Sequence, residues 1–252
     1  MRLTFLGTGT SSGVPVVACR CPVCTSGDRH NQRTRASILV QEDGRNVIID
    51  TAPDLRQQAL RTGIRHIDAV LYTHAHADHV GGIDDLRGFN VAQRAYIPCY
   101  ANQRTILDIQ GRFPYIFNGH LYFGAKPELT MHLADTPFPL FDWEVKPVTV
   151  LHGWLPVSGY RIGRFAYVTD CNSIPPEALE ALRGLEVLVL GALRHGRHPS
   201  HFSVSEALEV VEELKPKRAY FTHIAHELDH HQTNRELPPG VELAYDGLAI
   251  DL

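Results

Sequence analysis

The chain has 252 residues, of which 44% are hydrophobic, enough to build a sizeable core in one large domain or two small ones. Its formal net charge of -4 at pH 7 argues against a broadly basic surface for nucleic acid or anionic lipid. The sequence has no apolar run of about 18 residues and no secretion signal at its start, so we expect a soluble, cytoplasmic protein without a membrane span.

Short β-type runs alternate with helical patterns along the chain. Strands are predicted over residues 3–6, 36–40, 46–49, 69–72, 144–150, 165–168, 187–190, 218–221, 242–244 and 248–250. Helices are predicted over residues 53–62, 102–110, 175–182 and 204–214. The alternation favours one α/β domain over residues 1–252, with sheets covered by helices. Residues 88–138 have scattered prolines and aromatics, which predict an irregular insertion that serves as a lid or a dimer contact.

Three of the five cysteines, Cys19, Cys21 and Cys24, lie within six residues of a polar loop at 18–28. An odd cysteine count and close spacing favour metal ligation in a reducing compartment over disulfides. Three thiolates are one ligand short of the tetrahedral shell of a structural zinc site. We expect His226 to complete this shell. The alternative is a set of buried free thiols beside a surface histidine.

The most specific motif comes directly after the predicted strand at residues 69–72. There His74, His76, Asp78 and His79 form the pattern H-x-H-x-D-H. Four potential ligands within six residues cannot all face one way on a regular element, so a turn must direct them to two separate points. Two metal ions require such an arrangement. The alternative is a solvated polar turn, but the fifteen histidines of the chain exceed what packing requires.

One cluster cannot complete two coordination shells, so later strand ends must supply further ligands. His152, Asp170 and His223 are each the first strong ligand after a predicted strand. A carboxylate can bridge two cations, and imidazoles complete sites for borderline-soft metals. Each residue alone is more often a packed or surface group. Together with the motif they predict two divalent catalytic metals, manganese or zinc.

In order and strand context, these seven residues resemble the ligand pattern of binuclear hydrolases of the metallo-β-lactamase fold. The resemblance spans nearly the whole chain and implies a four-layer αββα sandwich with the site at one edge. It divides the ligands between two metals bridged by Asp170: His74, His76 and His152 on one, and Asp78, His79 and His223 on the other. It also matches Asp50 to an early aspartate that supports a ligand from outside the coordination shell.

The Gly-rich opening at residues 6–15, followed by the cysteine trio, is similar to the phosphoribosyl cyclic phosphodiesterase branch of this superfamily. In that branch a Cys3His structural zinc lies beside the catalytic pair. The resemblance implies hydrolysis of a small phosphodiester, cyclic ones included, with a hydroxide between two metals as nucleophile. It implies His201 as general acid, with His198 as its rival, and proton handling by Asp78. A homodimer is expected on the same ground.

Other functions stay open. A ribonuclease-Z-like endonuclease would need a basic arm for tRNA, which the sequence lacks, so we do not expect a nucleic-acid substrate. A thioesterase or lactonase of the same fold is a further enzymatic candidate, although such enzymes do not generally require the additional histidine. A related zinc-bearing opening occurs in proteins of pyrroloquinoline quinone biosynthesis. A metal-dependent binding or carrier protein without turnover is therefore the non-enzymatic alternative.

The remaining histidines outside these patterns show no defensible partner spacing. We expect them to be solvated or to form local hydrogen bonds: His30, His66, His120, His132, His195, His230 and His231.

Overall fold

Two seven-stranded sheets pack face to face in the computed structural model, which describes residues 1–118 and 124–252. In spatial order, the first sheet consists of β14 (Ala249–Asp251), β1 (Arg2–Gly7), β2 (Ser37–Glu42), β3 (Arg45–Ile49), β4 (Ala69–Leu71), β5 (Ile97–Ala101) and β6 (Leu129–Leu133). The second consists of β13 (Val241–Leu243), β12 (Arg218–Thr222), β11 (Val187–Gly191), β10 (Phe165–Val168), β9 (Leu155–Ile162), β8 (Trp143–His152) and β7 (Phe138–Leu140).

Helices cover the outer face of each sheet. Side chains of five helices pack on the first sheet: α1 (Leu55–Thr62), α2 (Ala77–Val80), α3 (Leu86–Gln93), α4 (Gln103–Arg112) and α5 (Pro114–Phe117). The second sheet is covered by α6 (Pro176–Ala181) and α7 (Val204–Leu214), and α8 (His230–Glu236) lies against β13. The result is the predicted αββα sandwich. Within the described ranges, no helix combines the length and apolar character that crossing a membrane requires.

The strands are apolar throughout because both of their faces are covered. In β2, Ile38 and Val40 face the other sheet, whereas Leu39 between them faces the helices. In β11, Val189 likewise packs between the sheets and Leu188 packs under the helices. Successive strand side chains point to opposite faces, so a strand buried on both sides reads as a continuous apolar run.

Every strand and helix predicted from the sequence is present, with ends displaced by about two residues at most. The elements that the prediction missed have weaker patterns. In β9, for example, Ser158 and Gly159 interrupt the apolar run, although β9 pairs with β8 along its full length. The cross-strand partner, which sequence periodicity does not show, stabilises this strand.

The prediction of an irregular insertion at residues 88–138 is wrong for the described part of that segment. It contains α4 and α5 as well as β5 and β6, which form an edge of the first sheet. β6 was not predicted because most of its side chains are at least partly exposed at the sheet edge. β5 was not predicted because Pro98 interrupts its apolar run. Residues 119–123, with His120, lie outside the described residues. A lid or dimer contact in this segment stays a prediction.

Replacing Leu188 by Ala tests the covered face of the second sheet. Leu188 is 0% exposed, so the substitution leaves a cavity under the helices and should lower the free energy of unfolding by about 2–5 kcal/mol. Urea denaturation at constant metal content measures this change. Leu133→Ala is the control, because Leu133 is 56% exposed and should change stability by about 0.5 kcal/mol or less. Equal losses in both variants would contradict this packing.

Candidate metal centre

The H-x-H-x-D-H motif forms the connection between β4 and α2. His74 and His76 lie in the extended segment after the strand, and Asp78 and His79 lie in the single turn of α2. The change from extended chain to helix turns the four side chains toward two points, as the sequence predicts. The structure groups His74 and His76 with His152, and it groups Asp78 and His79 with Asp170 and His223.

Close backbone packing fixes the position of α2. A Cβ atom on Gly82 would lie 2.1 Å from the carbonyl oxygen of Ala52, so only glycine fits there. The Gly82 N–H donates to the Thr51 carbonyl at 2.9 Å, and the Thr51 N–H donates to the His79 carbonyl at 2.8 Å. The motif is thereby fastened to the loop after β3, which carries Asp50.

Three residues that contribute side chains to this site follow strand ends and have left-handed backbone conformations. The φ angles are 64° for Asp50 after β3, 51° for Asp170 after β10 and 58° for His223 after β12. Left-handed non-glycine residues cost about 1–3 kcal/mol each and concentrate at functional sites. The backbone reversal turns each side chain from its sheet into the common edge where the motif lies.

Hydrogen bonds at Nδ1 orient the imidazoles of the motif. His79 Nδ1 donates to Asp50 Oδ2 at 2.7 Å. His74 Nδ1 donates to Thr73 Oγ1 at 3.0 Å, and that hydroxyl donates to Asp50 Oδ2 at 2.7 Å. On the second sheet, His152 Nδ1 donates to the Ser200 carbonyl at 2.8 Å. This leaves the Nε2 atoms free to face the centre, as in metal-binding histidines.

The buried nitrogen atoms at the centre fit metal ions. Nε2 of His74 and of His79 are buried and have no hydrogen-bond partner among residues 1–118 and 124–252. An unsatisfied buried polar atom costs about 1–3 kcal/mol, which coordination to a cation would remove. Nδ1 of His223 is also buried without a partner in these ranges. Its Nε2 points at the carboxylates of the centre.

The second ligand group has the dimensions of a coordination shell. Nε2 of His79 lies 3.3 Å from Asp78 Oδ2 and 3.4 Å from Asp170 Oδ1. Nε2 of His223 lies 3.4 Å and 3.3 Å from the same two oxygens. Ligands about 2.0–2.1 Å from a tetrahedral ion are about 3.3 Å apart. The other oxygen of Asp170, Oδ2, lies 3.8 Å from His74 Nε2, so this carboxylate spans both ligand groups.

Cation binding requires ionised carboxylates and neutral imidazoles, and the two carboxylates and His74 meet this requirement. Burial opposes ionisation of Asp170, but His223 and His79 outweigh it and hold the pKa of Asp170 well below its usual range. The pKa of Asp78 is also lowered, because hydrogen bonds from His223 and His79 outweigh burial. Burial, with a smaller contribution from His79, lowers the pKa of His74 well below normal.

Asp50 and His79 share a proton in the hydrogen bond between His79 Nδ1 and Asp50 Oδ2. Burial raises the pKa of Asp50, while Asp170 and Asp50 together overcome burial and raise the pKa of His79 well above normal. The raised pKa favours the imidazolium form of His79, so a metal ion at Nε2 would displace the proton on that nitrogen, while the Nδ1 proton stays in the hydrogen bond to Asp50 Oδ2. Asp50 therefore supports a ligand without reaching the centre itself.

The three clustered cysteines meet His226, as the sequence predicts. His226 Nδ1 lies 3.3 Å from Cys19 Sγ, 3.3 Å from Cys21 Sγ and 3.5 Å from Cys24 Sγ. Sulfur and nitrogen ligands of a tetrahedral zinc ion are about 3.6 Å apart. The backbone N–H of Cys24 is the main cause that lowers the pKa of Cys21 to about 6. The donor set and its spacing fit a closed zinc site.

Backbone pairing brings the cysteine loop to His226. Gly9 bridges to Ile224, and the Thr10 N–H donates to the Ile224 carbonyl at 3.1 Å. A Cβ on Gly9 would lie 3.0 Å from the Cβ of Arg33, so glycine allows the close approach of the segment at Arg33 to the same residue. The Gly-rich opening thus has the structural role of a close-packed turn.

His201 lies between the two ligand groups. Its ring stacks on that of His223, with 4.8 Å between the ring centroids, and meets that of His152 edge-on, with 4.6 Å between the centroids. It therefore contacts one candidate ligand of each metal. Burial lowers the pKa of His201 to about 3, which makes the ring neutral at pH 7. Its nitrogen is also close enough to His152 and Asp170 to bind a metal. The His198 ring lies beside that of His201, with 5.1 Å between the ring centroids.

Sequence reasoning missed the groups that orient the ligands. Thr73 connects His74 to Asp50, Thr169 Oγ1 donates to Asp170 Oδ1 at 2.8 Å, and the Ser200 carbonyl fixes His152. A threonine precedes His74 and Asp170 in the chain, but the direction of a hydroxyl group cannot be deduced from that spacing. A main-chain carbonyl leaves no sequence signal at all.

Known proteins share this fold and sequence. The family description "Beta-lactamase superfamily domain" matches residues 45–224. A crystal structure of a new diphosphatase from the PhnP family is 46% identical, with a TM-score of 0.93, over 100% of this chain and 97% of that one. Zn(2+)-bound PqqB from Methylobacterium extorquens has a TM-score of 0.80 at 22% identity over the full length of both chains, which shows the fold alone.

A longer relative is the octanoyltransferase of Porphyromonas gingivalis (strain ATCC BAA-308 / W83). It is 41% identical over 98% of this chain and 51% of its own length, so this chain spans about half of that protein. The match over nearly all of both chains with the diphosphatase decides the family. This protein belongs to the PhnP family of the beta-lactamase superfamily.

Proposed function

We propose that this protein is a binuclear metal-dependent phosphodiesterase that hydrolyses a small phosphodiester. The observation that carries the proposal is the position of His201, which contacts one candidate ligand of each metal. An ester or lactam hydrolase of this fold does not generally require such a group. The name of the 46% identical relative, a diphosphatase of the PhnP family, supports chemistry at phosphorus.

Seven side chains would hold the two catalytic metals, with Asp170 between them: His74, His76, Asp78, His79, His152, Asp170 and His223. When bound, two divalent cations would activate water and neutralise charge on the phosphoryl group. Manganese and zinc both suit these nitrogen and oxygen ligands. Cys19, Cys21, Cys24 and His226 would hold a separate structural zinc.

His201 is proposed to serve the leaving group. A neutral imidazole can donate a hydrogen bond to the departing oxygen, and the negative charge of a bound diester would raise the pKa of the ring toward proton donation. Asp78 is ionised because its pKa is lowered. It is therefore better suited to binding a metal than to donating the proton to the leaving group.

The exposure of the ligands supports one direction of approach for a substrate. His76 is exposed and His152 is partly exposed, whereas His74 and His79 are buried. Trp154 follows His152 by two residues, in the turn between β8 and β9, and is 98% exposed. A small diester would reach the centre from this side, with Trp154 at the rim.

A thioesterase is the second candidate, and the octanoyltransferase name of the longer relative is the observation that favours it. That name belongs to a protein about twice as long, so it extends to this chain only as a hypothesis. A binding protein without turnover is the non-enzymatic candidate, and the PqqB fold similarity is its support. The intact ligand set and the position of His201 favour turnover at phosphorus.

The decisive assay compares manganese-loaded protein on bis(p-nitrophenyl) phosphate, a diphosphate diester, the p-nitrophenyl monoester and an octanoyl thioester. We expect cleavage of a diester and no comparable cleavage of the monoester or thioester. His201→Ala should lower kcat by about 10²- to 10⁴-fold, because it removes the group beside the leaving oxygen. Removal of metal with a chelator should abolish turnover, and added manganese or zinc should restore it.

His198→Ala is the matched control for this assay, since His198 contacts His201 but lies in neither ligand group. We expect little change in its kcat. Diester cleavage that survives in His201→Ala at the wild-type rate would refute the role of that residue. Cleavage of the thioester alone by fully loaded protein would refute the phosphodiesterase proposal.

Cys21→Ser tests the structural zinc. Loss of one thiolate should release about one zinc ion per chain and lower the Tm, because a structural zinc contributes directly to folding. Elemental analysis and thermal unfolding measure the two effects. Cys99→Ala is the control, since Cys99 is a buried thiol outside the cluster. Unchanged zinc content in Cys21→Ser would mean that the four residues do not share a metal.

Asp50→Asn tests the support of His79. The amide preserves shape but cannot accept the Nδ1 proton as a carboxylate does, so catalytic metal affinity should fall about 10- to 100-fold. Metal content at fixed free manganese, set by a competing chelator, measures the change. Asp54→Asn is the control, because Asp54 pairs with Arg35 away from the centre. Equal metal affinity in both variants would show that Asp50 does not support the ligand.

A further inference from the structure

A further group of possible ligands lies outside both candidate metal sites. Asp28, His30 and His231 bring one carboxylate oxygen and two imidazole nitrogens within 4.8 Å of one another. Asp28 Oδ1 lies 3.0 Å from His30 Nδ1, and Asp28 Oδ2 lies 3.1 Å from His231 Nε2. These separations are only slightly shorter than the roughly 3.3 Å between nitrogen and oxygen ligands of a tetrahedral ion.

Two members of this group are held in position by their surroundings. Asp28 Oδ1 accepts the His30 backbone N–H at 2.9 Å, which fixes the carboxylate. The His30 ring stacks on His230 at 4.6 Å and meets the edge of Tyr245 at 4.4 Å. A metal ion would therefore need to order mainly His231, whose side chain is 59% exposed.

The charges around the group favour a cation. Hydrogen bonds from the His30 and Gln232 backbones are the main causes that lower the pKa of Asp28 and of Asp229, respectively, so both carboxylates are ionised. The nearby Arg33 guanidinium is buried and hydrogen-bonded to Thr8 Oγ1 at 2.8 Å. Both carboxylates are close enough to His231 to interact with its charge, so two ionised groups lie near this imidazole.

The chain segments that meet here are the two that close the Cys3His cluster. Asp28 follows Cys24 by four residues, and His231 follows His226 by five. Asn31 Nδ2 donates to Asp229 Oδ2 at 2.8 Å, and the His230 N–H donates to Asn31 Oδ1 at 2.9 Å, so the segments are in contact. An ion at Asp28, His30 and His231 would connect the cysteine loop to the first turn of α8 at a second point.

We propose that Asp28, His30 and His231 form an additional site for a divalent transition metal of the zinc class. Two imidazoles and one carboxylate match the preferences of zinc, with water completing the shell. Because His231 is largely exposed, the ion exchanges with solvent more readily than one held in the buried centre. Its role is to clip the cysteine loop to α8.

The test counts zinc in the full-length, fully metallated protein. Wild type, His231→Ala, Asp28→Asn and the control His66→Ala are equilibrated by dialysis at a series of free zinc concentrations and measured by elemental analysis. His66 also pairs with a carboxylate, Asp68, at 3.3 Å, but it lies in none of the ligand groups found among the described residues. We expect His231→Ala and Asp28→Asn to bind about one zinc ion fewer than wild type and His66→Ala.

A thermal measurement separates metal binding from a merely structural effect. Added zinc should raise the Tm of wild type and His66→Ala, because the ion binds the folded state, and should raise that of His231→Ala much less. Equal zinc content and equal Tm response in all four proteins would overturn the proposal, as would the same loss in His66→Ala. Neither measurement uses turnover, so the result for this zinc site is independent of the result for the phosphodiesterase proposal.

Discussion

Asp50 is the point on which the candidate centre depends. Its fully buried carboxylate accepts from His79 Nδ1 at 2.7 Å and from the backbone N–H and hydroxyl of Thr73 at 2.8 Å and 2.7 Å. It thus joins the end of β3, the end of β4 and the turn of α2. An ionised group inside a protein is tolerated only where several donors surround it. These donors are the groups that must be fixed for His74 and His79 to face the centre.

The remaining ligands depend on the second sheet. Asp170 and His223 follow β10 and β12, which flank β11 on either side in parallel, and both have left-handed conformations; His152 ends the longest strand. The apolar contact between the sheets therefore has a consequence for chemistry, because it sets the distance between the two halves of the ligand set. Asp170 reaches across that boundary, with oxygens 3.4 Å from His79 and 3.8 Å from His74.

Much of this arrangement could be predicted from the sequence, because the strands are continuous apolar runs and the ligands follow them directly. The meeting of Cys19 with His226, 207 residues away, was also predictable, since a trio of thiolates needs a fourth ligand, His226 follows His223 by three residues, and the resemblance implies a Cys3His zinc beside the catalytic pair. Other features were not. β6 is half exposed and shows no periodicity, and the grouping of His30 with His231 depends on tertiary contact between distant loops. Sequence spacing gives no information about such contacts.

Family membership and chemistry are decided at different levels of the structure. The fold is common to proteins whose names include a diphosphatase of the PhnP family and PqqB. A shared scaffold does not determine the reaction. In this chain the groups that would discriminate between reactions are those beside the ligands, above all His201, which contacts His152 and His223, and Trp154, which is 98% exposed.

The unequal exposure of the two ligand groups has a kinetic consequence. His76 is open to solvent, whereas His79, Asp170 and His223 are almost fully buried. An ion held by the second group would have less access to solvent, because Asp78 is the one partly exposed member of that group. Metal exchange would therefore be sequential, with the outer ion replaced first. A protein with two different metals in defined positions could then be prepared by the order of addition alone.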